Sequence, residues 1–137
     1  PSGDSAYGGS RFFELDTSTF PAVLTKATHL VDSNDVFASM ATYGQFSAAD
    51  LAAMIRLDKK VNIDPEGIAY IGPNDEFLIA HEGSGTVDDV EKPVESLNML
   101  FRVDPTGVIL EVITLPDALN DKQLRFGFEG VAVDNGV

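Results

Sequence analysis

Apolar residues fall along this chain in short runs separated by clusters of Gly, Pro, Asn and Asp. Runs of that kind, bounded by turn residues, predict β-strands. "SRFFELD" is one, closed by a polar "TST" turn. After Pro21, "AVLTKATHL" sets Val23, Thr25, Ala27 and His29 against Leu24, Lys26, Thr28 and Leu30, the period of a half-buried strand. "GIAYI" and "EFLIAHE" read as a hairpin across "GPND". "NMLFRVD" and "GVILEVITL" form a second hairpin across "DPTG", whose Asp, Pro and Gly stand where a type I turn prefers them. The expected antiparallel strands are 66–71, 77–82, 99–104 and 108–115, and Gly130 to Val133 begins one more.

The stretch from Asp32 to about Lys60 changes character. In "SAADLAAMIRLDKK", Ser47 is a candidate N-cap with Asp50 at capping-box spacing, and Leu51, Met54 and Ile55 share one helical face. One short helix, 47–57, is therefore expected inside a long loop, outside the strands and covering an edge. "EGSGTVDDVEKPVES" and "PDALNDKQLRFG" read as loops, being polar and rich in breakers.

Two echoes organise the strands. "DPEGIAY" returns as "FEGVAVD", setting Glu66 against Glu129, and "FFELD" returns as "LFRVD", setting Asp16 against Asp104. The second spacing is longer by about the length of the helical insertion, so one unit repeats with unequal loops. Short antiparallel strands in a repeating set of four describe an all-β chain and, more narrowly, part of a β-propeller of about two blades. On that reading 10–30 is the outer half of one blade, 31–63 the insertion, 64–116 a full blade and 127–137 the inner strand of the next. A blade cannot bury both faces alone. The expectation is a fragment, or one piece of a ring completed by its remaining blades or by another chain, with Ile68, Ile79 and Leu110 packing partly on neighbours.

Composition narrows the partners. Nine basic against 22 acidic side chains leave a net charge of −13. Such a chain is repelled by phosphate backbones and anionic bilayers, which argues against nucleic acid, and no run approaches the roughly 18 apolar residues of a membrane span. Acidity suits divalent cations, and it also keeps a secreted or surface protein soluble. The absence of cysteine excludes disulfides and thiolate metal sites. There is no G-x-S-x-G elbow, H-E-x-x-H or P-loop.

"DSAYGGSRFFELD", "DPEGIAY", "LFRVDPTG" and "GFEGVAVD", in that order, resemble the phytase-like β-propeller family, also described as esterase-like activity of phytase. The likeness runs from Asp4 to Asp134 apart from the stretch between Ser33 and Lys60. It implies a secreted, periplasmic or cell-surface protein and a calcium-assisted hydrolase of phosphoester-type substrates. The alternative is a non-catalytic propeller, a binding or scaffold module.

In a propeller the inner strands open at one mouth of a central channel. Glu66 and Glu129 start two such strands and should converge there, with Asp64 close behind Glu66. Oxygen ligands from several strands suit a hard cation, and the resemblance implies calcium. The other reading is that each Glu accepts backbone hydrogen bonds and holds the blades in register. His81 and Glu82 point to opposite faces by the period of two, and the resemblance favours Glu82 as the ligand. Arg125 resembles the family's basic residue before Gly-Phe-Glu and would bind substrate phosphate, or else pair with a carboxylate, as Arg102 and Arg11 also can.

Overall fold

A computed structural model describes residues 9–44, 46–83, 98–120 and 127–134. The strands expected between residues 11 and 115 form, in two antiparallel sheets. Strands β1 (Arg11–Asp16) and β2 (Val23–His29) pair as a two-stranded sheet with an irregularity at Glu14/Leu15. Strands β3 (Pro65–Ile71), β4 (Glu76–His81), β5 (Met99–Val103) and β6 (Ile109–Ile113) form a four-stranded meander in sequence order. The protein is all-β with short helices, as its pattern predicts.

Side-chain alternation gives the meander one closed face. Ile79 and His81 of β4, Met99, Phe101 and Val103 of β5, and Ile109 of β6 are all buried. The other face carries Arg102, which bridges Glu76 (2.8 Å) and Glu111 (2.9 Å) across the strands. The β5–β6 turn closes as its composition predicts. The Asp104 carboxylate accepts from the Thr106 and Val108 amides at 2.8 and 3.0 Å, while Gly107 N–H donates to the Asp104 carbonyl at 3.0 Å. In β2, by contrast, the expected half-burial is confined to the end of the strand. Thr28 is buried, but Val23 and Leu24 stay 53% and 56% exposed.

The insertion departs most from expectation. Helix α2 spans Ala48–Ala53, shorter than 47–57, because Ile55 leaves the helix to bridge Val61. Its start is as read: Ser47 Oγ accepts the Asp50 amide at 3.1 Å. A further helix, α1 (Val36–Met40), was not expected. Its first amides are held from outside the helix, the buried Asp32 carboxylate accepting from Val36 (2.8 Å) and Phe37 (3.2 Å). Neither helix merely covers an edge. Phe37, Met40, Phe46, Leu51 and Met54 join Leu30, Val61 and Ile63 over the closed face of the meander, with the Phe37 and Phe101 rings 5.9 Å apart. Each such side chain contributes about 1.5–3 kcal/mol relative to exposure, so the insertion is part of the core.

Of the residues expected to lean on neighbouring blades, Ile79 is covered within the chain, whereas Ile68 is 49% exposed and Leu110 partly so. The two sheets are stitched through main chain. Val31 N–H donates to Gly107 C=O and Ile109 N–H to Val31 C=O, both at 2.9 Å. Ser10 Oγ donates to Ile63 C=O at 2.7 Å and accepts its amide at 2.9 Å. Within "PDALNDKQLRFG" one helical turn, α3 (Asp117–Asn120), forms. The segment 127–134 carries no strand pairing among the described residues. Among the described residues no helix is long and apolar enough to cross a membrane.

Candidate functional site

The start of β3 and the end of β4 lie side by side, with Pro65 opposite His81 and Gly67 opposite Ala80. Two steps along β3 therefore match one along β4, and Glu66 is the extra residue. A bulge of this sort re-aims a side chain at the end of a ladder. Here it brings Glu66 to the same end as Asp64, just before β3, and Glu82, just after β4. Carboxylate oxygens of Asp64, Glu66 and Glu82 all lie within 4.8 Å of one another.

The fourth expected residue joins them. Glu129 lies close enough to Glu82 for its charge to act on that carboxyl. Partial burial raises the Glu82 carboxyl above its usual range, and the charges of Glu129, Glu66 and Asp64 push it further in the same direction.

Close backbone approach lets Glu129 come so near. A Cβ built on Gly67 would stand 2.9 Å from Gly130 Cα, so the two Glu-Gly pairs touch main chain to main chain. The segment is held by Gly127 N–H donating to Glu82 C=O and by Phe128 N–H donating to Asn98 Oδ1, each at 3.2 Å. The doubled glycine has different needs at its two copies, since a Cβ on Gly130 meets nothing within 4 Å.

His81 turns away from the carboxylates, as the period of two predicts, and is fully buried. Its Nδ1 lies 3.0 Å from the Asp64 amide nitrogen and 2.9 Å from the Asp64 carbonyl oxygen, so one tautomer accepts from the first and the other donates to the second. Burial holds the ring below its ordinary pKa, hence neutral at pH 7. Nε2 is buried without a partner among the described residues. Arg102 is engaged by Glu76 and Glu111, as an ion-pairing residue. Arg11 stacks on Phe13, 5.6 Å from the ring centroid. Arg125 lies outside the described residues. Among those residues, no Lys or Arg pairs with the four carboxylates.

The family described as Phytase-like, esterase-like activity of phytase, matches residues 3–136. The chain belongs to that family. Its function at the family level is therefore that of a phytase-related hydrolase. No curated protein and no solved structure matches this phytase-like chain. The match spans the insertion, which the motif resemblance had skipped.

Sequence reasoning set His81 behind Glu82 as a ligand, treating a lone strand-end histidine as structural or solvated, and did not single out Asn98. The one sequence signal for Asn98 is its position directly ahead of an alternating strand.

Proposed function

We propose that this phytase-like chain forms part of a β-propeller whose channel mouth carries a calcium site serving hydrolysis of phosphoester-type substrates. The observation that carries the reading is the convergence of Asp64, Glu66, Glu82 and Glu129 from separate chain segments. The donor set fits a hard cation: it is all oxygen, and it includes a carboxyl whose proton affinity is raised by partial burial first and by the neighbouring acidic charges after it. The propeller reading draws support from the four-stranded meander, the repeated motifs and the contact of Gly67 with Gly130.

Asp64, Glu66, Glu82 and Glu129 would hold the cation. The chemistry a bound calcium supplies is neutralisation of the phosphate and a lowered pKa for the attacking water. The chain's own part is to keep the four carboxylates at one end of the β3–β4 pair. Arg125 would meet a phosphate oxygen. The remaining blades, from the same protein or another chain, would close the ring in a secreted, periplasmic or surface setting.

A calcium titration followed by thermal unfolding, with phosphate release from phytate and p-nitrophenyl phosphate measured alongside, tests the reading. Calcium should stabilise the wild type and promote phosphate release, and Glu66→Gln and Glu129→Gln should lose both. Stabilisation without phosphate release would favour the non-catalytic binding or scaffold module. An identical calcium response in wild type and both variants would leave the glutamates as hydrogen-bond acceptors that set blade spacing.

A further inference from the structure

The carboxylate arms are not held by the β-ladder. Asp64 precedes β3, and 127–130 carry no strand pairing among the described residues, so ladder hydrogen bonds fix neither. Two fully buried polar side chains stand at that end of the sheet, His81 closing β4 and Asn98 directly ahead of β5, where His81 and Met99 are register partners. Burying such groups is unfavourable unless they are hydrogen-bonded. Both direct polar atoms at main chain: His81 Nδ1 at the Asp64 peptide (3.0 Å to its nitrogen), and Asn98 Oδ1 at the Phe128 amide, next to Glu129 (3.2 Å).

We infer that His81, its Nδ1 accepting from the Asp64 amide, and Asn98, its Oδ1 accepting from the Phe128 amide, are paired positioning residues, which set the separation of the Asp64 and Glu129 carboxylates by clamping the backbone of each arm. Gly127 belongs to the same device. A Cβ built there would fall on the Asn98 side-chain amide, so any larger residue would drive the clamp off Phe128. Gly127 also donates to the Glu82 carbonyl, which ties the second arm to the strand that ends at His81. The role deepens the cation reading proposed above and rests on it for its calcium arm alone.

The test measures amide hydrogen exchange and calcium affinity on the same proteins: wild type, His81→Leu, His81→Asn, Asn98→Leu, Gly127→Ala and the Asn98→Leu/Gly127→Ala double variant. His81→Leu should lower protection of the Asp64 amide about tenfold, and Asn98→Leu or Gly127→Ala should do the same at Phe128, the loss of one buried hydrogen bond in each case. Calcium affinity should weaken about tenfold in step. His81→Asn keeps a polar atom near Nδ1 and should restore both, a rescue that mere filling of the core would not produce. The double variant should lose no more than the worse single one, since both remove one contact. Protection of β5 amides reports whether the sheet is folded. Should the leucine variants lose it, His81→Asn and Gly127→Ala decide, having left the core volume nearly intact.

Unchanged protection at Asp64 and Phe128 would overturn the inference. So would reduced protection with undiminished calcium affinity, because the clamps would then position nothing at the site. A wild type that binds no calcium would sink the cation reading instead, and the exchange data would still decide whether the two side chains fix the arms.

Discussion

Replacing Glu82 by Gln should stabilise the calcium-free protein at neutral pH. Its carboxylate lies within 4.8 Å of those of Asp64 and Glu66, and the Glu129 charge also acts on it. Two unit charges at such a distance repel by about 1 kcal/mol in water, and more where protein displaces solvent. With three acidic neighbours and partial burial acting together, removing the Glu82 charge is worth about 1–2 kcal/mol at pH 7, or a rise in Tm of about 3–8 °C. The sign follows from linkage. Glu82 binds its proton more tightly folded than unfolded, so its contribution is fully present below the unfolded pKa and is lost as pH rises through the raised folded value. The advantage of Gln should therefore be absent near pH 4 and grow toward pH 7. Saturating calcium should reverse the order, since the amide offers a weaker, neutral ligand. Differential scanning calorimetry in chelator and in calcium, at both pH values, reads all four conditions. A lower Tm for Glu82→Gln in chelator at pH 7, or an equal gain at pH 4, would refute the like-charge reasoning.

Two further outcomes probe the packing. Gly67→Ala should destabilise by about 1–3 kcal/mol in urea titration, because its methyl group meets Gly130 main chain, whereas Gly130→Ala should stay within about 0.5 kcal/mol; equal costs would mean that the two Glu-Gly pairs do not touch. Phe37→Ala should cost about 3–5 kcal/mol, removing a fully buried ring that packs on Phe101. A loss below about 1 kcal/mol in the same titration would return the insertion to the periphery.

What local residues specify was legible without the fold. The turn at "DPTG" is made by Asp104 reaching amides two and four residues on, and the cap at Ser47 by an amide three residues on. Interactions of that range are written in adjacent letters. Strand positions follow for the same reason, because the period of two is a property of consecutive residues. The repeat further pointed to Glu66 and Glu129, since equivalent positions of a repeated unit meet wherever the units stack, while Asp64 followed from its place just before Glu66 and Glu82 from the family resemblance.

Tertiary structure decided everything that depends on distant chain. The helix α1 has no strong signal of its own and forms where Asp32, fixed by the crossing between the sheets, can hold its first amides. The insertion is core because the closed face of the meander needs covering, a demand set by strands that follow it in sequence. Glu66 reaches its neighbours through a bulge, and a bulge exists only in the register between two strands. Which backbone the His81 ring meets, that of Asp64, was set by the fold, and Asn98 meets a segment thirty residues away. Sequence alone sets which backbone shapes a residue permits and which faces a strand presents. Which of those faces and side chains meet is settled by long-range burial and hydrogen bonding, whose energies belong to pairs of segments and to neither segment alone.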